Sequence, residues 1–109
     1  MDCPARSERR AHTRLPVDLW IEESHGGAVY YQRATDLSLG GLFLAHTLPH
    51  PPGTRVKLRV DLGDHEALHV DAEVVEDARP SGMGMRFVAP DREVRARIAN
   101  FLLTMRSVG

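Results

Sequence analysis

Two segments in the middle of the chain alternate between apolar and polar residues, and this pattern constrains the fold more than any other feature. Every second residue is aliphatic, which is the period of a β-strand with one buried face. Gly63 and Asp64 separate the two segments, and we therefore predict a β-hairpin. The apolar positions are Val56, Leu58, Val60 and Leu62 in the first segment and Leu68, Val70, Ala72 and Val74 in the second.

Other parts of the chain show the same period of two. Leu15 begins one alternating segment, and further strands are predicted at residues 29–37, 42–44 and 82–88. In the segment 29–37, Leu37 is expected on the same side as Val29 and Tyr31, because all three occupy odd positions. Trp20 interrupts the polar side of the first strand, which indicates that this side is partly covered.

The last segment has the spacing of a helix instead. Pro90 and Asp91 precede apolar residues at intervals of four, four and three, with Phe101 beside them. Five to seven antiparallel strands without intervening helices favour a small barrel or a strongly curled sheet over βαβ units. The predicted fold class is all-β with a C-terminal helix. The apolar positions of the helix are Val94, Ile98, Leu102 and Met105.

Size and charge exclude several classes of protein. A chain of 109 residues is long enough for one core, and we expect a flexible arm at residues 1–14 and one domain at 15–109. The 14 basic and 15 acidic residues nearly cancel, which argues against a general nucleic-acid binder. No apolar run is long enough to span a membrane, so we predict a cytoplasmic protein without membrane insertion.

Arginines are concentrated in the predicted arm. A guanidinium group offers paired donors to phosphate oxygens and to the O6 and N7 atoms of guanine, and it stacks on rings. Arg10 and Arg14 are four residues apart and could hold two parts of one anionic, purine-containing ligand. Taken alone, the pattern is more typical of a solvated polar tail. The arginines of this segment are Arg6, Arg9, Arg10 and Arg14.

A second polar motif runs from Asp36 to Gly41 at the end of a predicted strand. In an extended backbone Asp36 and Ser38 point the same way, so that a carboxylate and a hydroxyl face one space. Gly41 permits a bend or the close approach of a ligand. Taken alone, the motif is more typical of an ordinary polar turn.

The two motifs together resemble the signature of PilZ domains, which are bacterial receptors for cyclic di-GMP. The order is Arg-x-x-x-Arg, twenty-one residues, and then Asp-x-Ser-x-x-Gly. The segments "RLPVDLWI", "GLFL" and "GMGMRF" and the final helix also lie where that family has their equivalents. The resemblance therefore covers nearly the whole chain and implies a six-stranded antiparallel barrel with a C-terminal helix.

The resemblance also implies roles for individual residues. Arg10 and Arg14 would contact phosphate and guanine, and Asp36 and Ser38 would meet a guanine edge and the nearby phosphate or sugar. Gly41 would permit close approach of the ligand. Arg86 is a weaker candidate. The implied binding residues for cyclic di-GMP are Arg9, Arg10, Arg14, Asp36, Ser38, Gly40 and Gly41.

Two alternatives to a nucleotide receptor remain. A domain of this kind has no output of its own, so a downstream protein partner is implied, and an adaptor for motility or pilus components could act without the nucleotide.

The sequence from His65 to His69 matches the H-E-x-x-H pattern of zinc proteases. On a strand, residues four apart are about 13 Å from each other, too far to share one zinc ion. We therefore predict no metal, no cofactor and no catalytic activity.

Overall fold

Six strands form a closed barrel, and one helix follows them. The structure is a computed structural model and describes residues 14–47, 49–63, 66–77 and 81–108. Around the barrel the strand order is β1-β2-β3-β6-β5-β4, and every neighbouring pair is antiparallel. The predicted all-β fold with a C-terminal helix is therefore confirmed. The elements are β1 (Leu15–His25), β2 (Ala28–Leu37), β3 (Gly41–Ala45), β4 (Arg55–Val60), β5 (Leu68–Val75), β6 (Gly82–Phe87) and α1 (Arg92–Val108).

The barrel interior is filled by the alternating apolar residues. Along β4 and β5 every second side chain is buried, as the period of two predicts. Full burial of an aliphatic side chain contributes about 1.5–3 kcal/mol, so this interior is the main source of stability. The largest fully buried apolar side chains are Ile21, Leu37, Leu44, Leu58, Leu68, Met83, Ile98 and Val60.

Helix α1 packs its apolar stripe against the same core. Asp91 caps the helix, because its Oδ1 accepts a hydrogen bond from the backbone N–H of Val94 at 2.8 Å. Ile98 and Leu102 are buried in the core cluster, whereas Met105, predicted to belong to the stripe, is exposed. The apolar contact thus ends at Leu102. Within the described ranges, no helix has the length and apolar character that crossing a bilayer requires.

A β-bulge changes which side chains of β2 face the core. The pairing of β2 with β3 shifts between Ala34 and Asp36, and a shift of one residue moves the following side chains to the opposite face. Leu37 is consequently buried inside the barrel instead of lying on the outer side with Val29 and Tyr31. The prediction that these three residues share one side was wrong for this reason.

The outer side of β1 is more exposed to solvent than we predicted from the presence of Trp20. Trp20 is exposed, and the guanidinium carbon of Arg33 lies 4.8 Å from its ring centroid. Arg33 is on β2, directly paired with Trp20. No other part of the described chain buries this indole, so the expected cover is not supplied within the barrel.

One acidic side chain points into the barrel. Glu23 is fully buried, and its Oε2 lies 2.6 Å from Nε2 of His50, in the proline-rich segment between β3 and β4. Its Oε1 accepts a hydrogen bond from the Gln32 amide at 3.3 Å. The backbone N–H of His50 donates to Sδ of Met83 at 3.2 Å. These contacts attach the proline-rich segment to the barrel through a buried carboxylate.

Candidate functional site

The turn between β2 and β3 is organised by the side chain of Ser38. This residue is buried, and its Oγ accepts hydrogen bonds from the backbone N–H groups of Gly40 at 3.1 Å and Gly41 at 3.2 Å. The N–H of Ser38 in turn donates to the carbonyl of Gly41 at 2.9 Å. Because β2 ends at Leu37, the hydroxyl lies inside the turn and not in an extended row with Asp36.

Gly41 is the point where β3 comes closest to β6. A Cβ built on Gly41 would lie 1.9 Å from the backbone oxygen of Met85 and 3.1 Å from the Cα of Arg86. Both atoms belong to the backbone of β6, so no change of rotamer could make room. Glycine is therefore required at this position by the packing of the two strands.

The outer face of the barrel next to this turn has a row of three paired residues. Asp36 on β2 is paired with Phe43 on β3, and Phe43 is paired with Gly84 on β6. The next row, Leu37 and Leu42, points inward, so alternation directs Asp36 and Phe43 outward. We call this surface the outer face of β2, β3 and β6.

Phe43 is only 5% exposed although it points away from the core. Its ring occupies the space where Gly82 lacks a side chain, since a Cβ on Gly82 would be 2.1 Å from Cζ of Phe43. Glycine on β6 thus leaves room for an aromatic ring on the outer face. The ring therefore forms an apolar surface next to Asp36, with which Phe43 is paired.

Arg14 reaches the same face. The pairing of Leu15 with Leu37 puts the start of β1 beside the end of β2, and therefore beside the turn that Ser38 organises. Nη1 of Arg14 lies 3.9 Å from Oδ2 of Asp77. That oxygen is 2.9 Å from the Cβ position of Gly84, so the ion pair brings the guanidinium near the row that contains Asp36.

The guanidinium of Arg14 is accessible from solvent although it is paired. The Arg14 side chain is 54% exposed and that of Asp77 is 13% exposed, and the two charged groups are 3.9 Å apart. More than half of the arginine side chain is therefore open to an incoming anion.

A second guanidinium borders the turn. Arg86 is exposed, lies opposite Gly41 in the pairing of β3 with β6, and donates to the Glu73 carboxylate. The outer face thus offers two guanidinium groups, each paired with a carboxylate, beside the Asp36 carboxylate and an aromatic ring. Guanidinium groups bind phosphate oxygens in pairs, and a carboxylate accepts hydrogen bonds from N–H groups of a base.

The structure brings most of the residues predicted from sequence to one end of this face. Asp36 and Arg14 lie around the β2–β3 turn, whereas Arg9 and Arg10 lie outside the described residues. Two residues of the face were missed, Phe43 and Asp77. The alternating glycines of "GMGMRF" are a signal for Phe43, because they leave two successive outward positions of β6 without side chains. The remaining predicted residues at this turn are Ser38, Gly40 and Gly41.

The zinc-like sequence lies only in part within the residues that the structure describes. His69 is on β5, so the prediction of a strand there is confirmed, and His65 lies outside the described residues. Among the residues that the structure describes, no group of three or more histidine, cysteine, aspartate or glutamate side chains could hold a metal ion.

Known structures share this architecture. YcgR of Escherichia coli in complex with c-di-GMP superposes with a TM-score of 0.77 at 20% identity, over 91% of this chain and 46% of that one. The isolated PilZ domain of YcgR with c-di-GMP gives 0.73 at 18% identity, over 91% and 92% of the two chains. The Bacillus subtilis inhibitor of motility, MotI/DgrA, gives 0.74 at 16% identity, over 90% and 51%.

These similarities concern the fold, because all three identities are low. The chain spans about half the length of the MotI/DgrA chain and of the YcgR chain solved with c-di-GMP. No curated protein matches it in sequence. The family model of the PilZ domain matches residues 8–104, which is nearly the whole chain. The chain therefore belongs to the PilZ domain family.

Proposed function

We propose that this PilZ domain is a receptor for cyclic di-GMP. The observation that carries the proposal is the position of Arg14, whose guanidinium pairs with Asp77 beside the outer face of β2, β3 and β6 that also presents Asp36. YcgR, which shares the fold, has been solved with c-di-GMP bound. A cationic group, a carboxylate and an apolar ring on one face match the phosphates and guanine bases of this ligand.

Each predicted residue has a role in this proposal. Arg14, with Arg9 and Arg10, supplies guanidinium groups to the phosphates and to the O6 and N7 atoms of guanine. The Asp36 carboxylate accepts hydrogen bonds from a guanine edge. Ser38 acts through the backbone, because its hydroxyl already holds the N–H groups of Gly40 and Gly41 and thereby shapes the rim of the site.

Calorimetry with cyclic di-GMP tests the receptor. We expect the natural chain to bind with a micromolar or lower Kd, and Arg14→Ala to bind about 10–100-fold more weakly, because a charge-assisted guanidinium contact contributes about 1–3 kcal/mol. Arg92→Ala, in the first turn of α1, is the matched control and should bind like the natural chain. Absence of binding heat from the folded natural chain at moderate salt would refute the receptor.

We further propose that the ligand orders the arm, residues 1–14, over the outer face. Two phosphates and two guanines give the arginines of the arm several partners at once, which offsets the entropy lost on ordering. The expected result is that saturating cyclic di-GMP slows tryptic cleavage at Arg9, Arg10 and Arg14. Cleavage at Arg92 and Arg95 of α1 is the internal control and should keep its rate. If the ligand binds but the arm is cut equally fast, the ordering proposal is wrong while the receptor stands.

A second function, a protein adaptor that works without the nucleotide, has one observation in its favour. The fold is shared with MotI/DgrA, whose name describes an inhibitor of motility. A folded natural chain that gives no heat with cyclic di-GMP would favour this function, with a motility or pilus component as partner. For the receptor, the same downstream protein would recognise the ligand-bound surface.

A further inference from the structure

Three large apolar side chains are exposed to solvent on the outer side of β1 and β2. Trp20 is 58% exposed, Tyr31 71% and Val29 52%. The register of the two strands puts Trp20 opposite Arg33, Glu22 opposite Tyr31, and Ser24 opposite Val29, so the three apolar side chains project from one side of the hairpin. We call this surface, together with Arg33 and Glu22, the aromatic face.

The aromatic face is not used by the barrel itself. The buried core cluster includes Leu19 and Ile21 of β1, whose side chains alternate with Trp20 and point inward. The proposed nucleotide site lies toward the other end of these two strands, where Leu15 of β1 is paired with Leu37 of β2. Contiguous exposed aromatic side chains on a small domain are typical of a binding surface.

The charges around the aromatic face cancel within it. Nε of Arg33 lies 2.8 Å from Oδ1 of Asp18, and Nη1 of Arg59, on the adjacent strand β4, lies 2.8 Å from Oε2 of Glu22. Two guanidinium groups thus face two carboxylates. A surface for nucleic acid or for an anionic membrane requires an excess of cations, which this face does not have.

We propose that the aromatic face binds the same face of a second copy of this chain, forming a two-fold symmetric dimer. A two-fold interface must be complementary to itself. Equal numbers of guanidinium and carboxylate groups satisfy this requirement. The pair of Arg33 with Asp18 is on the surface, with side chains 51% and 70% exposed, so a two-fold rotation can exchange it for the same pair made between the copies. Tryptophan, tyrosine and arginine are also the residue types that contribute most at protein interfaces.

The size of the aromatic face sets the expected strength. Strands of 11 and 10 residues extend about 33 Å at roughly 3.3 Å per residue, and two strands span about 10 Å in width. This area is below the roughly 800 Å² per partner of a standard stable interface. The dimer is therefore weak and depends on protein concentration, and it does not require cyclic di-GMP.

The only tryptophan of the chain belongs to the aromatic face, which provides a direct probe. Sedimentation velocity and tryptophan emission of the full chain, recorded from about 1 to about 500 μM, test the proposal. This range covers dissociation constants in the micromolar range. The natural chain should sediment faster, and its emission should shift to the blue, as concentration rises. Tyr31→Ser keeps Trp20 as the probe and should weaken association by at least about tenfold.

Leu103→Ser is the matched control, because Leu103 is 60% exposed but belongs to α1. It should associate like the natural chain. A natural chain that stays monomeric with unchanged emission over the whole range would overturn the proposal. Equal weakening by Leu103→Ser and Tyr31→Ser would also overturn it, because association would then not be specific to the aromatic face.

Discussion

Replacing Glu23 with alanine is expected to lower the free energy of unfolding by about 3 kcal/mol, the lower end of the range for removing one partner of a buried pair. The Glu23 side chain is fully buried, and its two oxygens form hydrogen bonds with the side chains of His50 and Gln32. Alanine leaves both partners without an acceptor and opens a cavity in the barrel. The lower end applies because the His50 side chain is 21% exposed and can be hydrated. Urea denaturation followed by circular dichroism measures the loss.

Two matched variants separate the buried contact from the charge. Glu23→Gln keeps the volume and one acceptor and should lose less than Glu23→Ala. Glu22→Ala removes the neighbouring glutamate, whose pair with Arg59 is on the surface, and should cost less than about 1 kcal/mol. If Glu22→Ala and Glu23→Ala had equal effects, burial of Glu23 would not be what makes its contacts important.

Gly41→Ala is expected to cost about 3 kcal/mol or more, at or above the upper end of the usual range for overpacking. The added Cβ would lie 1.9 Å from the carbonyl oxygen of Met85, so β3 and β6 would have to separate. This movement would also displace the turn in which Ser38 holds the N–H of Gly41. Urea denaturation measures the stability.

Gly26→Ala is the control for the general cost of replacing a glycine. Gly26 has a φ of +59° and nothing within 4 Å of its Cβ position, so alanine there pays only the backbone penalty of about 1–2 kcal/mol. Gly41→Ala should therefore be clearly the more destabilising of the two. A loss at Gly41 no larger than at Gly26 would show that β6 can move aside.

The part of the candidate site that could be predicted is the part whose residues are close together in the sequence. The motif from Asp36 to Gly41 is local, and a serine followed by two glycines at the end of a strand favours a turn. Phe43 and Asp77 were not predicted, because their positions on the outer face depend on glycines of another strand. Only the pairing of β3 with β6 shows that the Phe43 ring lies over Gly82.

The sequence by itself determined the strands, the final helix and the face of each that packs inward. Alternation in β4 and β5 is a local property, and the free energy of burying every second aliphatic side chain permits a single orientation of each strand. Asp91 likewise marks the start of α1 through a contact only three residues away.

The tertiary structure alone decided the exceptions to that alternation. The bulge between Ala34 and Asp36 depends on how β2 pairs with β3, and it reverses the side of Leu37. The burial of Glu23 depends on His50, 27 residues away along the chain, because a carboxylate enters a core only where a partner offsets its lost hydration. Interactions between residues distant in sequence have no local pattern, and they emerge only when the barrel closes.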